Sequence, residues 1–174
     1  MSACKSRRKA FTLLEMLIVI GIIAILVGLL FPMLDKAKEY ARRTRARTEV
    51  RQLALAWNSY LTDYREWFPG GSYSATTIPK TTDRLHVRVI SGLDTVNNRR
   101  GIMFYEFPNN DTNFMDPWRL EYRVYLDPDY NNSVDTGAAP NHGIVPRNVA
   151  VWSRARNCDP AKPSDILDDI KSWQ

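Results

Sequence analysis

Residues 16–34 carry no charged side chain, an unbroken run of nineteen positions. As a helix that run measures about 28 Å, enough to cross a bilayer core of about 30 Å. A helix apolar on every side has no face to offer water, so it needs a membrane or an enclosing shell of protein. A cleaved secretory signal also joins a basic start to an apolar run. Such runs are usually about 7–15 residues and close on a small-x-small site. Here the run continues through Phe31, Pro32, Met33 and Leu34 into Asp35 and Lys36. It reads as a retained single-pass membrane helix.

Charge is distributed around that run. The formal charge of the 174-residue chain is +5, with 25% charged residues. Residues 1–10 contribute +4 through Lys5, Arg7, Arg8 and Lys9 with no acid, and residues 35–51 contribute another +4. Residues 52–174 are mildly acidic at −2. The basic start places the N-terminus on the cytoplasmic side, and the bases after Leu34 reduce the asymmetry behind that orientation. The same basic stretch lies beside the membrane, where anionic headgroups or neighbouring subunits are more economical partners than nucleic acid.

Beyond Leu34, apolar residues recur at steps of three and four: Ala46, Val50, Leu53, Trp57, Tyr60, Leu61, Tyr64 and Phe68. That spacing is one face of an amphipathic helix. It ends at the breaker Pro69-Gly70-Gly71. Residues 11–68 therefore read as one helix, apolar all round in its first part and one-sided in its second. The stripe needs a cover, and residues 72–174 must supply it. Leu85, Val87 and Val89 alternate as in a short strand, and residues 101–107 suit a strand or a short helix. Residues 120–126 and 148–153 are the best strands, residues 127–132 a turn, and residues 137–146 a loop. The expected fold is α+β, a long N-terminal helix packed on a small antiparallel sheet. The organisation is 1–10, 11–34, 35–68 and 69–174.

Glu15 lies inside the apolar stretch, where an ionisable residue costs about 2.5–3.5 kcal/mol and calls for a partner. The bland reading is a carboxylate reaching the headgroups. Pro32 removes a helical hydrogen bond to Gly28, which makes the interval between them a place to bend or open.

The string from Lys9 to Ile20, KAFTLLEMLIVI, resembles the N-terminus of type IV pilins and type II secretion pseudopilins. The resemblance implies cleavage by prepilin peptidase between Ala10 and Phe11 and methylation of the new Phe11 amine. The family most often has Gly where Ala10 stands. Pro32 also falls on a family position. Residues 1–10 are then a leader, and residues 11–34 a membrane and assembly helix. Glu15 would pair with the Phe11 amine of a neighbouring subunit in a helical filament of this chain. Asp116-Pro117-Trp118 resembles a segment of the major pseudopilin, which usually continues Gly-Asn-Pro where this chain has Arg119-Leu120-Glu121. Residues 151–153 and 168–173 resemble its closing loop, which in family members holds calcium.

Calcium takes six to eight hard oxygens. Asn157, Asp159, Asp165, Asp168 and Asp169 offer them, with Asp169 the best-matched position. Asp127, Asp129, Asn131, Ser133 and Asp135 alternate like the start of an EF-hand, but Asn132 replaces its Gly and Ala138 its closing acid, so this stretch reads as a polar turn. Cys4 lies in the leader, leaving Cys158 alone after cleavage, which favours the pseudopilin branch over disulfide-closed pilins. There is no nucleophile motif, phosphate-binding loop or CxxC, and His86 and His142 have no ligand spacing, so no enzymatic role is expected.

The resulting expectation is a subunit of a periplasmic pseudopilus for type II secretion, anchored in the inner membrane with its globular domain in the periplasm. Its partners would be prepilin peptidase, the secretion inner-membrane platform, other pseudopilins and the membrane. The rivals are a type IV or competence pilin and a single-pass anchored binding domain that never polymerises.

Overall fold

A computed structural model describes residues 12–68, 80–81, 84–108, 114–137, 142–156 and 169–173. The elements in order are α1 (Leu13–Tyr64), β1 (Lys80–Thr81), α2 (Arg84–Ile90), β2 (Arg123–Leu126), β3 (Val134–Asp135), β4 (Ile144–Val145), β5 (Val149–Ser153) and β6 (Ile170–Lys171). The chain divides into two units, Met1–Tyr40 and Ala41–Gln174.

In the second unit the helical stripe packs on an antiparallel sheet of order β1-β2-β5-β6, and the fold is the expected α+β arrangement. Ala46, Val50, Leu53, Trp57 and Tyr60 are all buried and share one core with Val124, Leu126, Val149 and Val151. Period-two geometry explains which strand residues take part. In β2, Val124 and Leu126 face this core while Arg123 and Tyr125 are half-buried on the other side. In β5 every residue is buried. Its other face is covered by the β3–β4 ribbon, with Ala150 and Trp152 packed against Val134 and Val145. A central strand covered on both faces reads as a continuous apolar run, and the sequence of β5 is one.

One buried polar tie crosses from helix to sheet. The Tyr122 hydroxyl donates to the Glu49 carboxylate, which also accepts from Arg45 Nε at 2.8 Å. Burial, followed by the Glu49 hydrogen bond, pushes the Tyr122 phenol far above its usual range. The Arg45 guanidinium is raised by the same carboxylate.

Several expectations are corrected. The helix ends at Tyr64 rather than at Phe68. Arg65 takes the left-handed conformation at φ 61°, and its N–H donates to the Leu61 carbonyl at 2.8 Å. The chain then folds Trp67 and Phe68 back into the core, with Phe68 stacked on Trp57. Phe68 keeps its place in the apolar set by this reversal and not by helical spacing. Leu85, Val87 and Val89 lie in helix α2, where His86, Val87, Val89 and Ile90 are buried. A short run buried on several sides cannot reveal its period. Gly92, at φ 81°, closes this helix, and a Cβ there would meet the Gly101 carbonyl oxygen at 2.7 Å. Residues 101–107 are neither strand nor helix. They are held by Phe104 and Tyr105 N–H bonds to the Ile90 carbonyl and by Asn98, which binds both Ile102 N–H and Ile102 O. The expected loop at 137–146 contains β4.

Candidate assembly site

In the first unit, every side chain described in residues 12–34 is exposed. The apolar window of α1 is 0% buried, and Leu13, Leu29 and Phe31 are among its most open side chains. The helix is long and apolar enough to cross a membrane. Its backbone is helical through Gly28 and Pro32, so the interval between them lies inside α1. A Cβ at Gly28 would meet nothing within 4 Å, so no neighbour among the described residues demands glycine there.

The helix opens on a reciprocal cap. Thr12 Oγ1 accepts from the Glu15 N–H at 3.2 Å, while Glu15 Oε2 accepts from the Thr12 N–H at 3.2 Å and the Thr12 hydroxyl at 3.1 Å. This is a capping box, which satisfies helix-terminal N–H groups that have no intrahelical acceptor. The anionic side chain also lies in the first turn, the positive end of the helix dipole. Glu15 therefore has a partner within its own chain before any neighbour arrives. The signal was in the sequence, Thr-x-x-Glu directly before an apolar run, and a reading of Glu15 as a membrane carboxylate alone passes over it. Ala10 and Phe11 lie outside the described residues.

The second candidate region is the end of the chain. Asp169 is the one member of the calcium set among the described residues; Asn157, Asp159, Asp165 and Asp168 lie outside them. Asp169 Oδ2 lies 2.9 Å from His142 Nε2, with both side chains buried. His142 is packed edge-on to Trp152 and Trp173. Among the described residues no three His, Cys, Asp or Glu side chains are grouped to hold a metal ion. His142 holds Asp169 and packs on both tryptophans, and His86 sits in the aromatic core against Trp57 and Phe68. The EF-hand-like stretch bends over residues 128–132 and then enters β3 at Val134–Asp135. Asp127 spends its carboxylate on the N–H groups of Asp129 and Asn132.

Asp116-Pro117-Trp118 acquires a structural reason. Asp116 is buried, and its Oδ1 accepts from the N–H groups of Trp118 at 2.9 Å and Leu120 at 2.8 Å. Its Oδ2 accepts from Ser153 Oγ at 2.6 Å, joining this turn to the end of β5. Arg119, at the position where the pseudopilin segment has Gly, sits at φ 68°. That is the left-handed region, which favours glycine.

Residues 5–31 match the family model described as the prokaryotic N-terminal methylation motif. This is a prepilin-type N-terminus. The motif supports a type IV pilin-like protein and marks a prepilin peptidase substrate. Together with the long apolar helix it fits a membrane-anchored single-pass protein. No curated protein and no solved structure matches the chain.

Proposed function

We propose that this chain is the precursor of a pseudopilin, cut between Ala10 and Phe11, methylated on Phe11 and polymerised through residues 11–35 into a periplasmic fibre for type II secretion. The observation that carries the reading is the uncovered apolar helix beginning at the Thr12–Glu15 cap. Nothing among the described residues covers those side chains, so a bilayer before assembly and other copies afterwards are the environments that suit them. Gly28 leaves bare backbone for a close neighbour. On assembly, Glu15 would exchange Thr12 for the Phe11 amine of an adjacent subunit, and a desolvated pair of this kind sets register because a wrong register leaves a charge unpaired.

Mass spectrometry of the mature protein tests the first half, with methylated Phe11 as the expected N-terminus. For the second half, Glu15→Leu is expected to insert and be processed while filament yield collapses. Normal filaments from that variant would refute the role.

The pseudopilin assignment, as against a type IV or competence pilin, is supported by the Asp116 turn with Arg119 in the glycine conformation and by Cys158 standing alone once the leader is gone. Deletion of the gene separates the two: lost export of a secreted protein supports the first, lost motility or DNA uptake the second. The proposal includes a calcium ion at the C-terminal loop, with Asp169, positioned by His142, joining Asn157, Asp159 and Asp168 as oxygen donors. Calcium is expected to raise the melting temperature of the native chain and to lose that effect in Asp169→Ala.

A further inference from the structure

Leu55 is 66% exposed on the second unit, although it belongs to the part of α1 that packs on the sheet. It forms a ridge with a groove on either side. One groove, of about 620 Å³, runs between α1 and the 146–149 and 172–173 segments and is lined by Arg51 and Arg147 with Asn58 and Asn148. The other, of about 440 Å³, runs between α1 and residues 104–106 and is lined by Gln52, Ser59, Tyr105 and Glu106. Among the described lining residues the first groove has no acid and the second no base. Arg147 and Glu106 are both exposed.

Two flanks of opposite sign on one ridge are complementary between copies, since the basic flank of one can face the acidic flank of another. In the proposed filament this complementarity would be used head to tail, the basic flank of one copy against the acidic flank of the next. A head-to-tail contact that does not close into a ring propagates as a helical array. We propose that the Arg147 groove of one copy receives the Glu106 edge of the following copy, with Leu55 packed between them. The proposal rests on the filament reading above and adds to it a second, water-exposed contact whose charge pattern selects register.

Charge reversal tests it in the full chain. Arg147→Glu and Glu106→Arg are each expected to lower filament yield by about tenfold or more, since like charges facing each other at an interface are strongly disfavoured. The double reversal is expected to restore yield to within about twofold, because it rebuilds the pair with its signs exchanged. Melting temperature and Phe11 methylation, measured on each variant, should match the wild type. Single reversals that assemble normally overturn the contact while leaving the filament reading intact, provided Glu15→Leu still abolishes assembly. Single reversals that fail without rescue by the double also overturn it and point to a different anionic partner for the groove. A wild-type chain that forms no filaments in its host overturns both readings together.

Discussion

The two parts of α1 use the same residue types to opposite ends. In residues 13–34, leucine, isoleucine and valine stand in the open, Leu26 at 62% exposure. In residues 46–60, the same kinds of side chain disappear beneath a sheet, Leu53 at 0%. Nothing in the helical backbone distinguishes them. What differs is whether polar residues interrupt the apolar ones. Residues 46–60 place Arg47, Arg51, Gln52 and Asn58 between the buried positions, so one face can meet water while the other meets the strands. Residues 16–34 have no such face. Exposed apolar area on that scale marks an interaction surface.

The contrast breaks most plainly under leucine truncation. Leu53→Ala is expected to destabilise the second unit by about 2–5 kcal/mol, whereas Leu26→Ala should leave it unchanged. All five tryptophans lie between residues 57 and 173, so denaturant titration of the full chain in detergent, followed by tryptophan fluorescence, reports on this unit alone. Equal losses from the two variants would mean that the apolar half is packed within the chain after all.

A smaller effect comes from alkali and also belongs to the covered half. Burial pushes the phenols of Tyr60 and Tyr125 up to about 12, and that of Tyr122 higher still. An unfolded tyrosine loses its proton near pH 10, so above that pH the unfolded chain binds fewer protons than the folded one and stability falls. The stabilisation is fully present below about pH 10 and is lost as pH rises through the folded values. Melting temperatures measured from pH 8 to 12 should hold level and then drop across the upper two units. A flat profile would show that the phenols ionise without unfolding the core.

The smallest effect sharpens the uncovered half. Thr12→Ala removes one side of the capping box and should cost about 0.5–1 kcal/mol, confined to the first turn. Hydrogen exchange at residues 13–16 is expected to quicken while amides in β2 and β5 keep their protection. Unchanged exchange at the first turn would show that the cap does not hold it.

How far the sequence revealed this depended on the distance over which each feature is encoded. The stripe from Ala46 to Tyr60 was legible because helical period and burial agree, and β2 and β5 because each is a run of β-favouring residues. Helix α2 is ambiguous in the sequence because three alternating apolar residues fit two periods, and its end depends on Gly92 meeting Gly101, a contact between segments. The two-residue strands β1, β3, β4 and β6 are too short to pattern anything. At the site, the cost of Glu15 in hydrocarbon draws the eye to it, while its cap is written in the less conspicuous Thr-x-x-Glu spacing. The Arg147 and Glu106 grooves are not visible in the sequence, since each combines helix residues with segments about fifty to 120 positions away.

The cap at Thr12 bears on how the proposed fibre would grow. A carboxylate already held by a hydroxyl and an amide need not cross the lipid as a naked anion to reach a newcomer's amine. In the proposed fibre it would pass from one host to the next without an unpaired interval, and the charge pair would strengthen as the surrounding apolar flanks close.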